Sequence, residues 1–71
     1  MMVEYHLSNP DGSSNSVVKA SSHIAQIVAE CLTGYHRVPV EESINAGSWC
    51  ELASIGEVYE GDTFRIEVVD K

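Results

Sequence analysis

Hydrophobic and polar residues alternate over residues 2–7, with Val3, Tyr5 and Leu7 on one side and Glu4 and His6 on the other. A period of two predicts a half-buried strand. Asn9-Pro10-Asp11-Gly12 follows in the order that turn chemistry requires. Proline presets φ, aspartate tolerates the next position and glycine accepts a positive φ. Residues 13–16 extend the loop, and the β-branched pair Val17-Val18 is placed to return along the first strand as a loose hairpin. The period then lengthens. Ile24, Ile27, Val28, Cys31 and Leu32 fall at i, i+3, i+4, i+7 and i+8, which predicts an amphipathic helix over residues 22–33. Ser21 or Ser22 is its expected N-cap, and Gly34 its left-handed C-terminal residue.

Residues 35–40 read as a strand weakened by Pro39, which lacks the ladder donor. Residues 41–47 read as a loop or a single helical turn. Residues 48–55, carrying Trp49, Cys50, Leu52 and Ile55, read as a strand, and Gly56 and Glu60-Gly61-Asp62 bracket a turn region. Residues 63–69 alternate again, with Phe64, Ile66 and Val68 inward and Arg65 and Glu67 outward. The expected fold is α+β: a single amphipathic helix packed on a roughly four-stranded antiparallel sheet, with residues 1–71 forming one small domain. The helix stripe, Ile24, Ile27, Val28, Cys31 and Leu32, is expected to be buried against Val3, Tyr5, Leu7, Phe64, Ile66 and Val68.

A chain of 71 residues buries only about 60% of its unfolded surface, which excludes a large enclosed active site. The net charge of −7 changes the picture more. Phosphate binding needs the opposite sign, and so does docking on anionic lipid, so nucleic acid and membrane are excluded as direct partners. No run approaches the roughly 20 apolar residues of a membrane span, and residues 1–7 have no basic, apolar leader pattern. Cys31 and Cys50 are therefore expected to be reduced thiols in a cytoplasmic protein.

Candidate chemistry is sparse. His6, His23 and His36 with Cys31 and Cys50 show no CxxC, HxxxH or HExxH spacing. No serine stands in a G-x-S-x-G elbow, and the five glycines are dispersed rather than grouped into a phosphate cradle. The expectation is no catalysis, no metal and no cofactor. What remains is an asymmetry of charge. Residues 1–40 hold three acids and two basic residues, a net of −1. Residues 41–71 hold Glu41, Glu42, Glu51, Glu57, Glu60, Asp62, Glu67 and Asp70 against Arg65 and Lys71, a net of −6. These eight acids are the candidate partner-binding residues, presented by the C-terminal strands and their loops.

A tiny acidic chain with an opening strand over residues 2–7, one Ala- and Ile-bearing helix and an acidic, strand-rich end resembles the small anti-CRISPR proteins of phages and mobile elements. It is most similar to inhibitors of type I systems, some of which act as DNA mimics. The likeness lies in size, layout and charge across the whole chain. It implies a non-enzymatic inhibitor, a monomer or weak homo-oligomer in the host bacterial cell. Its partner would be a Cascade-type effector subunit with a basic DNA-binding channel, whose engagement of target DNA it stops. The alternative is a small phage accessory or structural protein acting through homo- or hetero-oligomeric contacts, with Trp49 and Tyr59 buried against another copy.

Overall fold

The computed structural model describes residues 2–71. The chain runs β1 (Val3–Ser8), β2 (Ser16–Lys19), α1 (Ile24–Tyr35), α2 (Val40–Leu52), β3 (Val58–Glu60) and β4 (Arg65–Asp70). The two strongly alternating segments, β1 and β4, pair antiparallel at the centre of the sheet. β2 and β3 add antiparallel at the edges to give the order β2-β1-β4-β3. Tyr5 stands opposite both Val18 and Val68, and Ile66 opposite both Leu7 and Tyr59. The period of two thus puts these side chains on one face, where Ile24, Val28 and Leu32 of α1 and Ala46 and Cys50 of α2 join them in a single core. Phe64, fully buried just before β4, completes it.

The first hairpin closes as its sequence requires. Gly12 takes φ 88°, and the Asp11 carboxylate accepts hydrogen bonds from the Ser13 N–H at 2.9 Å and its hydroxyl at 2.6 Å.

The fold is α+β with a four-stranded antiparallel sheet, but it has two helices, not one. Residues 35–40 are not a strand, residues 41–47 are neither a loop nor a single helical turn, and residues 48–55 are not a strand: most of them form the 13-residue α2. Pro39 sits in extended backbone at the N-cap, where its missing N–H costs nothing, and its carbonyl accepts the Ser43 N–H at 2.9 Å. The buried face of α2 is Ser43, Ala46, Gly47 and Cys50, at i, i+3, i+4 and i+7. That is helical spacing written in small residues, so it carries little hydropathy signal. The small face has a steric purpose: a Cβ on Gly47 would collide with the backbone carbonyl of Ala25, so the two helices cross in near-backbone contact. The fourth strand, β3, comes from the region expected to be a turn.

Three local expectations are also corrected. The N-cap position of α1 is His23, without a side-chain cap; Ser21 instead accepts the His23 N–H at 3.1 Å, just upstream. Gly34 lies inside the helix, and the left-handed residue after it is Arg37 at φ 58°, from which the Val38 N–H reaches back to the Leu32 carbonyl. Ile27 is 39% exposed, and Cys31 is half-buried rather than buried, because α2 covers only part of the stripe.

The core can be tested by contrast. Leu32→Ala, at a fully buried site, is expected to cost about 2–5 kcal/mol, whereas Ile27→Ala is expected to cost under about 1 kcal/mol. Chemical denaturation of both variants checks this, and equal losses would contradict the packing.

Acid should weaken the fold through His36. Its ring nitrogen Nε2 lies 3.0 Å from the Ser16 hydroxyl, joining the end of α1 to β2. Burial holds its pKa below the usual 6.5, so folding favours the neutral ring and the unfolded chain takes up the proton first. This contribution is present above pH 6.5 and is lost as pH falls through the folded-state value. Thermal unfolding followed between about pH 8 and about pH 5 should show it, and His36→Gln should have the flatter profile.

Candidate protein-binding surface

The eight acids of residues 41–71 do not gather along the C-terminal strands. Glu41 and Glu42 occupy the first turn of α2, where a carboxylate complements the partial positive charge of the helix N-terminus. Glu51 lies in the last turn of the same helix. Glu57 and Asp62 lie in the connections flanking β3, Glu60 is on β3, and Glu67 and Asp70 are on β4. Glu42 and Glu67 are half-buried and the other six are exposed. The expectation of an acidic strand-and-loop surface is therefore corrected: three of the eight belong to a helix that the sequence pattern did not reveal.

Local partners divide the acids further. Arg65 lies between Glu60 and Glu67, with its Nε 3.5 Å from one carboxylate and its Nη1 3.5 Å from the other. Glu57 accepts the backbone N–H of Ser54 at 2.6 Å and so holds its own turn. Among the described residues, Glu41, Glu51, Asp62 and Asp70 carry exposed carboxylates with neither a hydrogen bond nor an ion pair. Glu42 differs again. Its Oε1 is buried without a hydrogen-bond partner, beside an open pocket of about 320 Å³ lined by Pro39, Glu41, Glu42 and Asn45. The outer side of α2 also leaves Val40 60%, Ile44 55% and Leu52 88% exposed.

Trp49 and Tyr59, the residues expected to meet another copy, are half-buried in the chain's own aromatic stack. Their rings meet edge-on at 5.3 Å, and Tyr59 stacks on Phe64 at 5.6 Å. The sheet face turned away from the helices carries an acid–base pair, in which His6 Nε2 lies 3.1 Å from Glu4 Oε1 and Glu4 is only 7% exposed. Their i, i+2 spacing on an alternating strand was the signal for a shared face. No group of three or more His, Cys, Asp or Glu side chains converges among the described residues. No helix among them is long and apolar enough to cross a membrane. No protein-family model, curated protein or solved structure matches the chain.

The two thiols are free and differ in environment. Burial pushes the Cys50 pKa up to about 12, so its reactive thiolate is nearly absent at neutral pH. Alkylation of the native protein, followed by peptide mass mapping, should label half-buried Cys31 first and reach Cys50 only on unfolding. Equal native labelling rates would contradict this burial.

Proposed function

We propose that the chain is a non-enzymatic anti-CRISPR inhibitor that binds a type I surveillance complex through its acidic surface and blocks target DNA binding. The observation that carries this reading is the uncompensated charge. Residues 41–71 bring −6 to the surface, and of their two basic residues Arg65 is already engaged by Glu60 and Glu67. A channel built for phosphates is lined with Lys and Arg. An acidic protein is attracted to such a channel over distances up to about a Debye length, which speeds encounter, most of all at low salt. Exposed apolar residues beside the acids supply the short-range contacts that hold a complex once formed.

One observation favours the alternative, a phage accessory or structural protein working through oligomeric contacts. Val40, Ile44 and Leu52 form an apolar series on α2 that the chain itself does not cover.

The test uses acids that hold no structure in place. Glu51, Asp62 and Asp70 are exposed, and reversing all three to Lys adds two charges at each, taking the net charge from −7 to −1. The triple variant should fold normally by circular dichroism and bind a purified type I effector complex at least about tenfold more weakly, most clearly at low salt. Target DNA binding by the complex should recover in parallel. Equal, salt-insensitive affinities for both proteins would overturn charge-directed inhibition and leave the oligomeric reading in its place.

A further inference from the structure

We infer that the exposed N-terminal half of α2 docks a basic amphipathic segment of another protein, with an arginine in the pocket beside Glu42 and an apolar side chain over Val40 and Ile44. This rests on the reading of the chain as a protein-binding inhibitor and assigns that binding to one surface. The apolar part is set by helical geometry: residues four apart are neighbours on a helix, so Val40 and Ile44 form one exposed patch. The polar part is the adjoining pocket of Pro39, Glu41, Glu42 and Asn45. Glu41 presents an exposed carboxylate without a partner among the described residues, and the enclosed Glu42 Oε1, which has no donor, adds negative charge behind it. A guanidinium brings several donors in a planar fork suited to carboxylates.

Charge selects the occupant. α2 contains Glu41, Glu42 and Glu51 and not one Lys, Arg or His. The helix N-terminus contributes roughly half a positive charge, which two full carboxylates outweigh. A second copy of this chain would set Glu41 and Glu42 against a protein of net −7, so self-association through this patch is opposed by like charge. A cationic segment with an apolar stripe satisfies both halves of the surface.

The probe is a synthetic amphipathic helical peptide about two heptads long, with Leu at the a and d positions and Arg elsewhere. It is titrated into the isotope-labelled full chain and followed by amide chemical shifts. Shifts should centre on residues 40–45. Ile44→Ser and Glu42→Gln should each weaken binding about tenfold, while Glu30→Gln, which removes an exposed charge from α1, should stay within about twofold of wild type at moderate salt. Four results would each overturn the assignment: no binding; shifts centred on Glu57, Glu60 and Asp62; equally tight binding of an oligoarginine of the same charge; or concentration-dependent shifts at residues 40–45 without peptide, the mark of a second copy. The outcome is separable from the inhibitor reading. If the effector complex ignores the wild-type protein while the peptide binds at α2, the reading fails and the site stands. If the complex binds and Ile44→Ser makes no difference to either ligand, the site fails alone.

Discussion

The close crossing of α1 and α2 is the constraint on which the rest of this small fold depends. Both helices pack on one face of the four-stranded sheet, and their backbones come closest where Gly47 meets the carbonyl of Ala25. Ser43, Ala46 and Cys50 extend the same narrow face along α2, each fully buried. Larger residues there would push the helices apart and open the layer above Tyr5, Leu7 and Ile66. A chain of this length has little surplus burial with which to absorb such a gap.

This arrangement also decides what reaches solvent. With its small side buried, α2 turns Val40, Ile44 and Leu52 outward together with Glu41 and Glu51. Apart from Trp49, which is half-buried against the core, the larger apolar residues of this helix therefore face outward and its small ones inward. Stability alone gives no reason for that placement, since burying a Val or Ile side chain is worth roughly 1.5–3 kcal/mol. Placed next to acids, the exposed residues fit a surface whose contacts lie outside the chain.

The acidic field and the uncovered helix meet at Glu41 and Glu42, within one turn of Val40 and Ile44. Elsewhere the acids are partly occupied: Glu57 closes a turn, and Glu60 and Glu67 flank Arg65. Counting charge along the chain treats all eight as equal. Their hydrogen bonds separate those that hold the structure from those left free to meet a partner.

Much of the sheet and of α1 was legible in the sequence, because Val3, Tyr5, Leu7, Ile66 and Val68 alternate, and Ile24, Val28 and Leu32 recur, with bulky side chains whose periods are local properties of the chain. The sign and asymmetry of charge were legible for the same reason: they require only counting. α2 was not legible, since Ser43, Ala46, Gly47 and Cys50 form a buried stripe only once α1 lies against them, and Trp49, Cys50 and Leu52 read alone resemble a strand. β3 is only three residues long, so its strand character comes from pairing with β4 rather than from its own pattern. The orphaned oxygen of Glu42, the pocket beside it and the exposure of Ile27 and Ile44 were likewise settled in three dimensions. A side chain's accessibility depends on what packs against it, and in this protein that was decided by how closely two helices could approach.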